Sequence, residues 1–186
     1  MAVKKKVPGG SGKKAPPASG GSGATAKKQQ GKKNQKKKKK DKLKCGENGK
    51  YGDLKKKTGK GQFDRDHVPS KAALKERASE KFRGGRELCP KQAKAIDDLA
   101  NAIAIPKWAH SGYSPTYGGN NTETKITDDA KNLQKATRRD TAAMKKGMKE
   151  QGASKECQKE YAKWAKQVNK ITPRQYDRML KKASGK

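Results

Sequence analysis

The segment FDRDHVPS, residues 63–70, holds the residue types of a hydrolytic site in a chain dominated by lysine. It places Asp64, Asp66 and His67 close together, and His67 is one of two histidines in the chain. A neutral imidazole can take a proton from water, and carboxylates can hold a cation that stabilises charge on a phosphoryl group. These residue types therefore suit the hydrolysis of a phosphodiester bond.

The other histidine lies in a second polar segment, IPKWAHSGYSPTYGGNN, residues 105–121. His110 can add an imidazole to the set, and Asn120 and Asn121 can add amide groups. Magnesium needs only one or two protein ligands, because it keeps several of its waters. The two segments together are therefore sufficient for a metal-assisted hydrolase, provided that the fold brings them into contact.

Simpler explanations account for the same residues. A histidine in a basic protein is more often a core or surface residue than a catalyst. Asp66 and His67 could cap a helix that begins at Ser70, and Asp64 could form an ion pair with Arg65 or a nearby lysine. Against these readings, both histidines fall in the two polar segments and nowhere else.

The pattern of apolar residues predicts a small α+β domain that is mostly helical. Residues 62–68 alternate in polarity and predict a strand with His67 on one face and Asp64 and Asp66 on the other. The apolar run 102–105 predicts a second strand or the end of the preceding helix. Helices are expected at 51–57, 71–82, 90–100, 128–150 and 154–169, with one turn around His110 and a short helix from Pro173.

Positive charge extends along the whole chain and favours a polyanionic partner. Residues 1–44 carry 16 Lys and one Asp, and the remaining residues carry 33 Lys and Arg against 17 Asp and Glu. The formal net charge is +31. Such a surface binds nucleic acid without sequence specificity, because bound phosphates release their counterions. The alternative is that the charge only keeps the protein soluble.

Composition divides the chain into three parts. Residues 1–44 are rich in Lys, Gly, Ser and Pro and lack aromatic residues, which predicts a disordered basic tail. Residues 45–125 contain both polar segments and form the predicted catalytic core. Residues 126–186 form a predicted C-terminal helical extension.

The three cysteines, Cys45, Cys89 and Cys157, are odd in number, and none belongs to a CxxC pair. This spacing predicts buried thiols of a reducing compartment, and neither a disulfide nor a cysteine-based zinc site. No apolar run approaches the roughly 18 residues of a membrane span, and the N-terminus lacks the apolar region of a secretory signal peptide.

Both polar segments resemble a known nuclease family. FDRDHVPS resembles the Asp-His-x-x-Pro opening of the HNH, or ββα-metal, nucleases. IPKWAHSGYSPTYGGNN resembles the second block of a branch found as toxin domains of bacterial polymorphic and contact-delivered effectors. The resemblance spans residues 45–121 and implies a short two-stranded ββα-metal-like core.

The resemblance also implies a role for each site residue. His67 corresponds to the general base, Asp66 and His110 to metal ligands with Asp64 as a further candidate, and Asn101 to the residue that orients the base. Asn120 and Asn121 compete with Asn101 for that last role. The implied cofactor is a divalent ion, first Mg²⁺, with Mn²⁺, Ni²⁺ or Zn²⁺ as alternatives. The long gap between His67 and Asn101 requires helices inserted between the two strands.

Nucleic-acid contacts are expected from basic, amide and glycine residues around these segments and on one later helix. The predicted contact residues are Arg65, Lys71, Tyr117, Gly118, Gly119, Asn120, Asn121, Arg138 and Arg139. The glycines could instead serve only a turn, and the two C-terminal arginines could be an ordinary solvated face. Trp108 and Tyr113 could stack on a base, but a core position is the expectation for both.

The first hypothesis is a metal-dependent endonuclease toxin that acts on duplex DNA as a monomer. The resemblance further implies a bacterial producer, synthesis in the cytoplasm without a signal peptide, delivery by a specialised secretion system, and an acidic immunity protein. The first alternative is a non-enzymatic nucleic-acid-binding protein of the chromatin or ribosomal kind. The second is a metal-independent ribonuclease that uses His67 and His110 as an acid–base pair.

Overall fold

The computed structural model describes residues 42–57 and 62–185. The predicted basic tail lies outside the described residues except for its last three positions. One of these, Leu43, is buried against Leu54 and two alanines of the sheet. Packed structure therefore begins slightly before residue 45. The described residues belong to one compact unit.

A three-stranded antiparallel sheet lies at the centre of the fold. Its strands are β1 (Asn48–Lys50), β2 (Phe63–His67) and β3 (Asn101–Pro106), in the order β1–β3–β2. The strand predicted at 62–68 is confirmed, and residues 102–105 form a strand, which decides between the two expectations for that run. The predicted two-stranded core is wrong in number, because β1 is too short to produce an alternating pattern and forms only by pairing with β3.

Helices make up most of the rest, which confirms an α+β fold of mainly helical content. They are α1 (Tyr51–Leu54), α2 (Lys71–Arg83), α3 (Pro90–Leu99), α4 (Lys107–Tyr113), α5 (Glu123–Lys131), α6 (Leu133–Glu150), α7 (Lys155–Val168) and α8 (Pro173–Ala183). None of the helices in the described part of the chain is long and apolar enough to cross a membrane.

The predicted single helix over 128–150 is wrong. The chain forms α5 and α6 there, and the break falls at Asn132, whose backbone is not helical. Its side-chain oxygen accepts a hydrogen bond from the backbone N–H of Lys135 and so caps α6. Asp129 therefore lies in the last turn of α5 and not in the first turn of a long helix.

The order of elements around the sheet brings the two polar segments together. Strands β2 and β3 pair directly, and α2 and α3 lie between them in sequence. This arrangement confirms the expected helical insertion. Ser70 caps α2 immediately after β2, through a hydrogen bond from the backbone N–H of Ala73. Helix α4 begins directly after β3, so it turns back over the sheet next to β2.

The C-terminal helices pack on the same core as the sheet. Tyr161 and Trp164 of α7 are buried in a cluster with Ile103 and Ile105 of β3, and Met144 of α6 belongs to the same cluster. Helix α6 also packs against α4. The helices beyond residue 126 therefore support the element that carries His110.

The prediction that no disulfide forms is wrong. Cys45 and Cys157 are joined by a disulfide that spans 112 positions of sequence, while Cys89 is free and exposed. Local spacing could not reveal this pair, because α7 approaches the start of the packed chain only through the tertiary fold.

Gly147 provides the close contact between α6 and α4. A Cβ atom at this position would lie 2.0 Å from Cγ of Tyr113. We expect Gly147→Ala to lower the free energy of unfolding by roughly 1–3 kcal/mol, because overpacking outweighs the better helix propensity of alanine. Urea denaturation measures the change. Gly112→Ala is the control, since a Cβ atom there meets nothing within 4 Å. Equal stability of the two variants would contradict the close contact.

The disulfide predicts a redox-dependent stability. Cys45→Ser should lower the free energy of unfolding of the oxidised protein by roughly 2–4 kcal/mol, because the unfolded chain gains freedom. In reductant the variant should match the wild type, and Cys89→Ser should have no effect in either condition. A loss that persists undiminished in reductant would show that Cys45 contributes only by packing.

Candidate active site

The two faces of β2 carry different parts of the site. Asp64 and Asp66 face α4, where they meet His110. His67 faces the other way, and its ring lies against Tyr51 of α1 with 4.3 Å between ring centroids. Arg65 lies on that same side and donates to backbone carbonyls of the α1 region. The alternation predicted for this strand is therefore confirmed.

His110 connects the two carboxylates. Its Nδ1 lies 3.1 Å from Oδ2 of Asp64, and its Nε2 lies 3.4 Å from Oδ1 of Asp66. Burial lowers the pKa of His110, but the hydrogen bonds and negative charges of Asp66 and Asp64 outweigh it and raise the pKa above the ordinary value of 6.5. The site therefore favours an imidazolium held between two carboxylates.

His67 has the opposite electrostatic environment. Burial, together with the positive charges of Lys71, His110 and Arg65, lowers the pKa of His67 to about 3. Its Nε2 is buried and has no hydrogen-bond partner among the residues that the structure describes. The imidazole is therefore neutral near pH 7, and its unpartnered nitrogen makes it a candidate proton acceptor.

A cleft of about 350 Å³ opens beside these groups. Three parts of the chain form it: the end of β2, the first turns of α2, and the segment from α4 to Asn121. The lining residues are Asp66, His67, Ser70, Lys71, Ala72, Lys75, His110, Thr116, Tyr117, Gly118 and Asn121. Both polar segments of the sequence therefore contribute to a single cleft.

Some of the predicted nucleic-acid contacts line this cleft and others do not. Lys71, Tyr117, Gly118 and Asn121 are lining residues. Gly119 and Asn120 belong to the exposed 3-10 turn Gly118–Asn120 and are not among them.

The predicted arginine contacts have different environments. Arg138 is exposed on α6, away from the cleft lining. Arg65 donates to the carbonyl of Leu54 at 2.9 Å, and Arg139 forms ion pairs with the buried carboxylates of Asp129 and Asp140. Two of the three arginines thus use their guanidinium groups for contacts within the protein, although the Arg139 side chain is 43% exposed.

Asn101 is not joined to His67 by any hydrogen bond of the described residues. Its side-chain oxygen accepts a hydrogen bond from Nζ of Lys50 at 2.9 Å, and its backbone carbonyl accepts from the N–H of Val68. The structure thus brings together His67, Asp66, Asp64 and His110 but gives the Asn101 side chain another partner.

Sequence reasoning missed two residues of the site. Tyr51 packs on His67, and its ring also lies 4.4 Å from Nζ of Lys71. No local pattern could reveal this contact. Lys75 lines the cleft one helical turn after Lys71. Residues four apart share a helix face, so the spacing of these two lysines in the sequence could have placed Lys75 beside Lys71. Trp108, expected in the core, is 42% exposed.

The donor types around His110 suit a divalent ion, but their arrangement limits the kind of site. Within residues 42–57 and 62–185, no group of three or more His, Cys, Asp and Glu side chains is placed to hold a metal. Both ring nitrogens of His110 face carboxylates. Asp64 and Asp66 therefore fit a magnesium-type site of one or two protein ligands and several waters, and not an all-protein cage.

The low pKa of His67 predicts a loss of stability in acid. The unfolded chain binds the proton near pH 6.5 and the folded chain only near pH 3, so stability falls as the pH drops through this interval. When the pH falls from 7 to 5, the free energy of unfolding of His67→Asn should decrease by roughly 2 kcal/mol less than that of the wild type. Urea denaturation in EDTA measures both proteins.

The pKa of His110 is shifted in the opposite direction, so its effect on stability should depend on pH in the opposite way. Its raised pKa gives a contribution that is complete below pH 6.5 and is lost as the pH rises through the folded-state value. His110→Asn should therefore lose less stability than the wild type when the pH rises above neutral. Identical acid losses in His67→Asn and the wild type would show that His67 titrates normally.

Comparisons with known proteins give one partial match. The chain is 39% identical over 105 residues to a protein of Dickeya dadantii (strain 3937) named deoxyribonuclease CdiA. The match covers 56% of this chain and 3% of that protein. No protein-family model matches the chain, and no solved structure matches it. The chain is therefore similar, over about half of its length, to a small part of a protein named as a deoxyribonuclease.

Proposed function

We propose that this chain is the nuclease part of a toxin and hydrolyses phosphodiester bonds of DNA. One observation carries the proposal: two polar segments far apart in sequence form one cleft, with His110 between Asp64 and Asp66 and a neutral His67 beside them. The name of the partial relative supports both the reaction and its substrate. The basic surface supports binding to a polyanion.

His67 acts as the general base in this proposal. It is neutral, it lines the cleft, and its Nε2 has no hydrogen-bond partner among the described residues. That atom is buried, so substrate binding must expose it before it accepts the proton of an attacking water. Without substrate it is a weak base. A phosphate in the cleft brings negative charge near the ring and raises the pKa of His67, so basicity increases when substrate is bound. Packing against Tyr51 fixes the ring orientation.

The remaining cleft residues bind the phosphate and balance its charge. Lys71 and Lys75 lie on the α2 side, where they can approach phosphate oxygens. Asp66 and Asp64 would hold the divalent ion, first Mg²⁺, which would stabilise negative charge on the phosphoryl oxygens. His110 would join them only after losing its proton, because an imidazolium has no lone pair for a metal. The HNH assignment and the metal requirement both belong to this proposal.

A second mechanism is favoured by the opposite pKa shifts of the two histidines. The pKa of His110 is raised and that of His67 is lowered, and such separation is typical of an acid–base pair. His67 would accept the proton of the nucleophile, and His110 would donate one to the leaving oxygen. Activity that persists in a chelator distinguishes this mechanism from the metal-dependent one.

The proposal extends to the partner and the route of the protein. An acidic immunity protein would bind this basic surface quickly and could cover the cleft. Delivery into a target cell by a specialised system fits a toxin of this kind. The monomeric state stays a prediction.

Plasmid cleavage tests the proposed function. With Mg²⁺ or Mn²⁺ the wild type should cut supercoiled plasmid, and His67→Ala should cut it roughly 10²- to 10⁴-fold more slowly because the general base is lost. Asp66→Asn and His110→Ala should also be strongly impaired. Asp128→Asn is the control, since this exposed carboxylate pairs only with Lys131 among the described ion pairs.

Each alternative has its own outcome in that experiment. Cleavage that stops in EDTA supports the metal-dependent mechanism, and cleavage of RNA in EDTA supports the histidine pair. A salt-sensitive shift of uncut plasmid, equal for all of the variants, would contradict nuclease function and favour a non-enzymatic binding protein. Thermal unfolding of each variant identifies any loss that results from misfolding.

A further inference from the structure

The cleft has two walls of different chemistry. On the α2 side, Lys71 and Lys75 lie one helical turn apart, and we call them the lysine wall. The segment after α4 contributes Tyr117, Gly118 and Asn121 to the lining, and we call them the aromatic wall. Lysines suit a phosphate, whereas an aromatic ring beside an amide suits a base. The two walls together have the chemistry of one nucleotide.

Tyr117 is both held in place and open to the cleft. Its ring centroid lies 4.7 Å from that of His110, with an angle of 74° between the ring planes. The side chain is nevertheless 40% exposed. A ring that is fixed by an edge contact and still exposed can stack on a base at little cost in side-chain entropy. Tyr117 therefore places a stacking surface next to the reacting groups.

Asn121 offers a polar group without a partner. Its Oδ1 is buried, lies in a cleft-lining residue, and has no hydrogen-bond partner among the described residues. A buried acceptor of this kind is costly when it stays unpaired. The edge of a base carries N–H donors that can satisfy it. The aromatic wall can thus bind the face of a base by stacking and its edge by hydrogen bonding.

The kind of contact limits what can bind to the aromatic wall. A volume of about 350 Å³ is at the small end of the roughly 300–1,000 Å³ that ligand pockets span. The cleft is open to solvent, so this volume does not by itself exclude a larger ligand. A base whose face lies on Tyr117, however, cannot also be stacked on its neighbours inside a duplex. A base that reaches Tyr117 must therefore be unpaired.

We propose that the cleft binds one unpaired nucleotide, with its phosphate on the lysine wall and its base stacked on Tyr117 and bonded to Asn121. The preferred substrate is then single-stranded DNA or an unpaired stretch of a duplex. This differs from the duplex preference that the sequence predicts. The inference rests on the proposed nuclease function and adds the substrate class.

A fluorescence experiment tests stacking without any cleavage. A single-stranded oligonucleotide that contains 2-aminopurine is titrated with full-length His67→Ala, and again with the wild type in EDTA in case the variant folds poorly. Stacking on Tyr117 should quench the fluorescence. Adding Tyr117→Ala should abolish the quench and weaken binding by roughly 5- to 100-fold, whereas Tyr117→Phe should retain both. Trp108→Ala is the control, because Trp108 is similarly exposed but does not line the cleft.

Cleavage rates supply the second test. The wild type should cut a single strand faster than the matching duplex, and Tyr117→Ala should bring the ratio of the two rates towards one. Equal loss on both substrates would overturn the inference, because Tyr117 would then act only by supporting His110. Faster cutting of the intact duplex would also overturn it. If the wild type cuts no nucleic acid, the proposed function fails, and the fluorescence result alone decides whether the cleft binds an unpaired base.

Discussion

The pairing of β2 with β3 is the constraint on which the site depends. In this register Asp64 lies opposite Ile105 and Asp66 lies opposite Ile103. Helix α4 begins directly after β3 and carries His110 back over the same face of β2. A slip of one residue would move both aspartates to the face occupied by α1 and separate them from His110. The buried side chains of β3, fully covered on both faces, are what fix this register.

The pairing of β2 with β3 places two carboxylates within hydrogen-bonding range of one imidazolium in a basic protein. The positive charge of the imidazolium offsets the repulsion between the two carboxylates, and the carboxylates in turn stabilise the imidazolium. Removal of one partner therefore leaves a partly buried charge without compensation. The same principle applies further along the chain, where Arg139 lies between Asp129 and Asp140. Burial still raises the pKa of Asp140 to about 6 against the lowering effect of Arg139. These buried carboxylates thus form specific ion pairs, and the excess of lysine is left for the surface.

The sequence could predict the parts of the fold that depend on residues close together along the chain. The alternation of residues 62–68 predicted which side chains of β2 share a face, and Ser70 and Pro90 marked the starts of two helices correctly. What could not be predicted depends on contacts between distant segments. Strand β1 exists only because β3 pairs with it, and Cys45 meets Cys157 only in the folded chain. The resemblance to HNH nucleases singled out two segments that both line the cleft, but it did not indicate that Tyr51 packs on His67.

Arginine and lysine residues make different kinds of contact in this protein, and the difference affects how a nuclease of this kind would select its substrate. Arg65 and Arg139 use their planar, multidentate guanidinium groups for internal hydrogen bonds, a task that lysine performs less well. In the proposed nuclease, affinity for nucleic acid would then come mainly from lysines, which act as hydrated point charges and do not distinguish one sequence from another. Selectivity in the proposed nuclease would therefore come from the cleft, where shape and stacking act at short range. A surface that attracts any polyanion and a cleft that accepts one geometry would be compatible, because the surface would set the rate of encounter and the cleft would decide which encounters lead to cleavage.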